Sequence, residues 1–418
     1  MIRLNTTRPR DVSGIAVAAI LLLYAALVML RMPEIVLKGR FWAEEGTVFF
    51  TNAWTLDPVT ALLMPVGGYL NIVANGATLL ARWAVPLADA PYVTIAIGLL
   101  FQLVPPVILL TARDAWLQGW PVRLCAAALL LFVPGADEIW LQTLHCQFEL
   151  ALACGLILAL DVPQGRRRVL YLAILVLAPL CGPGAIALTP LLALRAAIDR
   201  STGRTMQLAA LVGGSAVQML CFFKLGSGRG YTLDPAILLA VVTAKNLMIP
   251  FIGLRSSTRG VEALYRAAAS GHVPLAAIMA PLVVFGGMLA AIWHTGCRPA
   301  FWLLAAAAAA ALASYIGALD GTVLMIDVRA GARYAVVPLS LTALTFLAIG
   351  ANGDAWLRWP ARGICLWLLM VGMRNYTAPW PPVRDGPVWR DQVALWQAEP
   401  SRALEIWPKP WTVRIEPK

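Results

Sequence analysis

Charge is scarce in this chain. Asp, Glu, Lys and Arg make up 13% of its 418 residues, while 60% are hydrophobic. With a mean hydropathy of +0.74, that composition excludes an ordinary soluble domain and a disordered one. Histidine is rarer still: His145, His272 and His294 share no HExxH-type spacing, which argues against a protein-only transition-metal site. The seven cysteines, at 125, 146, 154, 181, 221, 297 and 365, stand singly without a CxxC pair. That gives neither a disulfide framework nor a zinc cluster, and it predicts small core residues. There is no Walker loop, no GxGxxG turn in a strand–helix setting, no soluble catalytic domain and no internal repeat of the inverted-repeat transporter kind.

What is present is a series of long apolar runs. "SGIAVAAILLLYAALVML" (13–30), "YVTIAIGLLFQLVPPVILLTA" (92–112) and "PLAAIMAPLVVFGGMLAAIW" (274–293) approach or exceed the roughly 18 to 20 residues that cross about 30 Å of hydrocarbon as helix. Strands of a barrel would alternate instead. The first run lacks a small-residue cleavage site after it and reads as a retained anchor. The net charge of +11 falls mainly in short loops between apolar runs, a pattern of membrane topology and not of nucleic-acid binding.

Basic loops set the expected orientation. Arg3, Arg8 and Arg10 hold the N-terminus in the cytoplasm, as do "QGRRRV" (164–169) and "RAAIDRSTGR" (195–204) for their loops. Crossings at 91–112, 121–135 and 146–161 respect those markers if 71–87, interrupted by Asn71, Asn75 and Arg82, lies in the interface. The first outer loop then runs from 32 to 90. Residues 169–196 begin and end beside basic loops, so "CGPG" (181–184) is the apex of a broken hairpin, and non-helical backbone at such depth lines a cavity or is buried in protein. A crossing at 205–224, a second outer loop at 225–273 with in-plane helices, and spans at 274–294, 300–319, 333–351 and 362–373 complete the expectation. It is an all-α polytopic bundle of about eleven transmembrane helices over 1–373, with an extracytoplasmic tail or small cap at 374–418. The poly-alanine run in 303–318 lets helices approach closely.

Within the first outer loop, "GRFWAEEGTVFF" (39–50) sets Glu44 and Glu45 side by side among bulky apolar residues. Ionisable side chains beside the bilayer are candidates for function. On the same expected face lie "PVGGYLN" (65–71), "ADEIWLQTLHCQFE" (136–149) and "DVRAGARY" (327–334), so carboxylates, arginines and aromatics converge. One carboxylate can act as general base towards an acceptor hydroxyl, arginines can hold a phosphate leaving group, and a second acid can orient the acceptor or a magnesium or manganese ion.

These features together resemble the GT-C superfamily of polytopic glycosyltransferases. The motifs that carry the likeness are a retained first helix, an acidic pair soon after it, a broken helix pair with a Gly-Pro turn, and a late Arg-Tyr followed by Val-Val-Pro. More narrowly, "FWAEEGTVFF", "PVGGYLN", "CGPGAIALTPLLALR", "ARYAVVP" and "LEIWPKPW" are similar to a bacterial membrane-protein subfamily with an "AEDG"-like first outer loop. The likeness covers most of the chain as an ordered series of motifs. It implies transfer of a sugar from a polyprenyl-phosphate-type carrier to a glycan, lipid or protein acceptor on the outer face of the bacterial cytoplasmic membrane, with no nucleic-acid partner. Glu44 matches the family's base and Glu45 its helper or metal contact, although Glu-Glu departs from the usual Asp-Glu, Asp-Asp or Glu-Asp. Arg333 and Tyr334 match the late Arg-Tyr and are assigned to the carrier phosphate, with Arg329 sharing the work. Tyr69 and Asn71 are placed on the acceptor side, and His145, Gly182 and Pro183 beside the substrate. Glu149, one turn inside an apolar helix, is expected to pair with an arginine or with His145. Asp137 and Glu138 either coordinate a cation or cap a helix. Lys224, Arg229 and Lys245 either attract an anionic headgroup or snorkel, and the tail tryptophans are expected at the interface. The competing class is a non-catalytic lipid or polysaccharide transporter, which calls for charges through the full bilayer depth.

Overall fold

The computed structural model describes residues 13–226, 233–318, 322–378 and 381–417. Arg3, Arg8, Arg10 and Arg229 lie outside them. The described chain is helical apart from one antiparallel strand pair, Leu404–Glu405 with Thr412–Val413. It is an all-α polytopic membrane protein. Among the described residues, seven helices are long and apolar enough to cross a bilayer: Gly14–Arg31, Leu87–Thr111, Thr202–Leu225, Pro235–Ile252, Leu275–Thr295, Arg298–Gly317 and Ala332–Asn352. Trp120–Leu131 and Cys146–Ala159 are shorter apolar helices.

The centre of the bundle is Ala332–Asn352, 89% of whose apolar window is buried, packed against Cys146–Ala159 and Arg298–Gly317. Small residues make the contact possible. A methyl group on Gly155 would stand 3.0 Å from Leu341 and 3.6 Å from Ala306, so the alanine-rich helix and the glycine let the three backbones approach. In lipid, association rests on such dispersion contacts, since no apolar surface is withdrawn from water.

At one end of the bundle, Arg204 closes the base of the hairpin that the sequence predicts. Its guanidinium donates to Asp199, to Gln207 and to the carbonyls of Ile157 and Leu160, so the chain entering Arg166–Leu177 and the chain leaving Thr189–Asp199 meet there. Between those helices come two 3-10 turns, Pro179–Cys181 and Pro183–Leu188, with Gly182 at the break. Ascending alongside is Thr202–Leu225. A side chain at Gly214 would strike the carbonyl of Val176.

Asp114 lies at this same end and accepts a 2.8 Å hydrogen bond from the Asp161 N–H. Burial lifts its carboxyl from 3.8 to about 6, against that hydrogen bond and Arg195 and with help from the Asp161 charge. The folded state thus holds the proton more firmly than the unfolded chain. Its contribution to stability is complete below pH 3.8 and disappears as the pH rises through about 6, a change of about 3 kcal/mol at 1.36 kcal/mol per unit. Unfolding in detergent as a function of pH should show Asp114→Asn without that downward slope. His145, held well below its usual range by its burial first and by Arg333 second, acts in the opposite sense but identically in both proteins.

The segment Pro235–Ile252 meets the length and composition of a span, yet its middle is tied to the end of the bundle opposite Arg204. Thr243 donates to the carbonyl of Ala277, Lys245 Nζ to those of Asp327 and Ala330, and Asn246 accepts from Tyr315. Lys245 thereby braces the loop that leads into Arg333. After it, helix Leu254–Ala269 buries Ser257, Val261, Leu264 and Ala268 and exposes Arg255, Arg259 and Arg266, an amphipathic pattern suited to a membrane surface.

Helix Ala355–Thr377 runs past the expected end at 373, so the tail starts later than the sequence suggests. The tail folds back on the first loop. Helix Trp389–Ala398 and the strand pair form one apolar cluster with Phe41, Phe50, Trp54, Ala81 and Ala90. Trp389 and Trp396 are buried there and Trp407 in the main core, and their indole N–H groups donate to the carbonyls of Leu87, Ile415 and Pro387. The expectation that they sit at the interface is corrected: their partners are other parts of the chain.

Candidate functional site

The two adjacent glutamates have opposite surroundings. Glu45 is fully buried. One of its oxygens accepts from the Thr143 N–H (2.7 Å) and hydroxyl (2.6 Å), the other from the Trp42 N–H (3.3 Å). Burial raises its carboxyl above 4.5, opposed by the Thr143 bonds and by the charge of Arg40. Arg40 is also without exposure and donates to the Trp140 carbonyl at 2.6 Å. Burial pushes its guanidinium down to about 10, with Glu45 working the other way. The cluster fastens the 39–46 loop to the turn before Cys146–Ala159, and two residues beside it, Ala43 and Leu141, are held at φ 40° and 56°. Positive φ in residues with a side chain costs energy and persists only where surroundings dictate it.

Glu44 faces out. It is exposed and, among the described residues, makes no hydrogen bond or ion pair. The placement of Glu45 as a helper or metal contact is corrected accordingly: both its oxygens are engaged inside the protein, and Glu44 is the acid left accessible. No group of three or more His, Cys, Asp or Glu side chains among the described residues could hold a metal ion.

Several of the other expected residues do meet. A cleft of ≈ 110 Å³ is lined by Tyr69, Gln147, Phe148, Pro183, Ser314 and Tyr334, among others. Five separate stretches of chain thus surround one space. Tyr69 is presented by a tight turn in which Val66 and Tyr69 bridge, and the next residue, Leu70, is gripped through both its N–H and its carbonyl by the side-chain amide of Gln218, each bond 3.0 Å. Gly182 allows the hairpin apex to approach: a side chain there would collide with Gln147. Gly182 therefore positions Gln147, while Pro183 lines the cleft.

Arg333 forms an ion pair with Glu138 and stacks over Tyr334, 4.8 Å from its ring centre. His145 Nδ1 lies 3.1 Å from the Glu138 carbonyl. A carbonyl only accepts, so Nδ1 carries the proton of the neutral ring. Rings continue from His145 to Phe148 (5.6 Å) and from Phe148 to Tyr334 (5.6 Å), which sets His145 one aromatic layer behind the cleft. An unbroken sequence of contacts therefore runs from Glu45 through the 138–145 turn to Arg333. The chain matches no family model, no curated protein and no solved structure.

Four expectations change. Asn71 is fully buried, donating to the Leu144 carbonyl and capping helix Ile72–Ala84 through the Ala74 N–H, so it holds the loop and does not meet an acceptor. Arg329 lies apart from the Tyr334 cleft, in a different one with Asp137 and Arg255. Glu149 is buried and pairs with neither an arginine nor His145 among the described residues. Asp137 neither binds a cation nor caps a helix but chelates Arg31, at 2.9 and 2.5 Å. Sequence reasoning missed Gln147 and Gln218. For Gln218 the signal was an uncharged polar residue in the middle of an apolar run, where a side-chain amide needs a partner.

Proposed function

We propose that the protein is a GT-C-like membrane glycosyltransferase of about eleven transmembrane helices. It moves a sugar from a polyprenyl-phosphate-type carrier to an acceptor on the extracytoplasmic face of the bacterial cytoplasmic membrane. The observation that carries this reading is a pair of cavities along one helix. The last turn of Arg298–Gly317 lines the cleft of Tyr69, Gln147 and Tyr334 through Ala313, Ser314 and Gly317. Its preceding residues, from Phe301 to Leu312, line a cavity of ≈ 560 Å³ whose other walls include Leu238, Pro281, Phe285 and Leu289. Leu282, Leu289 and Leu312 are half exposed, so that cavity opens on the lipid-facing surface. An amphiphile with a long apolar tail and a polar head matches such a sequence of walls.

In this reading Tyr69, Gln147, Ser314 and Tyr334 hold the sugar, and Arg333 offsets the charge of the departing phosphate. Glu44 takes the proton from the acceptor hydroxyl as its oxygen bonds to the anomeric carbon. The bond from that carbon to the phosphate oxygen breaks, and the phosphate leaves with the electron pair, inverting the carbon. The basic residues gathered around Arg204 support a cytoplasmic position for that end.

The test is to fill the cleft. Nothing lies within 4 Å of a side chain added at Gly317, so Gly317→Leu should fold normally and project into the space. Assayed in nanodiscs with polyprenyl-phosphate-linked sugars, it should transfer roughly tenfold more slowly or worse, with an unchanged Tm. Full transfer in this variant would overturn the reading. Movement of the carrier without cleavage of the glycosyl phosphate would favour a transporter.

A further inference from the structure

The loop that carries Arg333 also carries Arg329, which faces a place the proposed chemistry does not use. Arg329 lines a cleft of ≈ 80 Å³ together with Arg255 and Asn375. A neighbouring cleft of ≈ 210 Å³ shares Arg255 and Asn375 and adds Ser256 and Arg374. Arginine at three of these positions is exposed, and the guanidinium groups of Arg255, Arg329 and Arg374 make no hydrogen bond or ion pair among the described residues. The acid in the lining, Asp137, is already chelated by Arg31.

Two further donors converge on the same space. Asn375 accepts from the Leu254 N–H at 3.1 Å through its side-chain oxygen, while its Nδ2 is buried without an acceptor. A buried amide N–H left unpaired is unfavourable, and an acceptor brought by a ligand would remove that cost. Leu254 opens the 16-residue helix Leu254–Ala269, and its first-turn residues Arg255 and Ser256 line the cleft, so the positive end of the helix dipole is directed there.

We propose that this paired cleft binds a phosphate group. Forked guanidinium donors, an orphan amide N–H and a helix N-terminus are each matched to a tetrahedral oxyanion, and no free carboxylate stands among the described lining residues to offset their charge. The phosphate has two available sources: the headgroup of an anionic lipid, which the amphipathic helix would meet at the membrane surface, or a soluble phosphate.

The experiment uses purified protein in zwitterionic detergent and in nanodiscs. Inorganic phosphate, compared with chloride at equal ionic strength, or phosphatidylglycerol nanodiscs, compared with phosphatidylcholine, should raise Tm by about 2 °C or more. Arg255→Gln with Arg374→Gln should abolish the shift, whereas Arg259→Gln, on the same helix but outside the cleft, should keep it. A shift with both probes assigns the phosphate group itself, one with phosphatidylglycerol alone assigns the lipid, and one with inorganic phosphate alone assigns a soluble ligand. No shift with either, or a shift that survives in the double variant, overturns the proposal. Should the double variant fail to fold, Arg329→Gln is read in its place.

Discussion

Glu44→Gln is expected to slow sugar transfer by about 10²- to 10⁴-fold, the usual contribution of a positioned general base. The amide keeps the size and polarity of the side chain and removes its ability to take a proton. Because Glu44 is exposed and unbonded among the described residues, stability should stay within about 0.5 kcal/mol of the parent. The measurement is single-turnover transfer beside a thermal melt. A loss of rate accompanied by an equal loss of folded protein would assign Glu44 to structure, and full transfer would remove it from the chemistry.

Glu45→Ala is expected to do the reverse and act on the fold. It strips Arg40 of the nearby negative charge, in a place where Arg40 has no exposure and where its Nε and Nη1 already lack partners. It also leaves the Thr143 N–H and hydroxyl without their acceptor. Leaving buried hydrogen-bonding groups without a partner costs about 1–3 kcal/mol each, a large share of the roughly 5–15 kcal/mol that hold a protein folded. Unfolding by heat or denaturant in detergent would read it directly. The pH dependence gives a second check. Burial raises the Glu45 carboxyl above 4.5, so the folded state binds its proton more firmly. That contribution is present below 4.5 and lost as the pH rises through the folded value, a slope that Glu45→Gln should abolish.

The sequence shows that acids, arginines and aromatics gather at one end of the bundle, because intramembrane charge is costly and its position along each apolar run is visible. The broken hairpin was also legible, since Gly182 and Pro183 fall midway between two basic loops. Adjacent residues, however, point in different directions, and nothing local distinguishes Glu44 from Glu45. The distinction is made by Thr143, 98 positions away. Asn71 likewise looks like a ligand-binding amide until its partners, the Leu144 carbonyl and the Ala74 N–H, are known. Arg329 and Arg333 share one short motif yet part company: Arg333 pairs with Glu138, while Arg329 lines a cleft with Asn375.

The pairing of the tail with the first loop orders events in time. Ala43 donates to the Trp407 carbonyl, Trp407 donates back to Phe41, and Trp54 reaches a partner 362 positions further on. A ribosome completes nearly all the remaining helices before it supplies those partners. The turn bearing Glu44 therefore gains its full set of backbone partners only when the late segment docks.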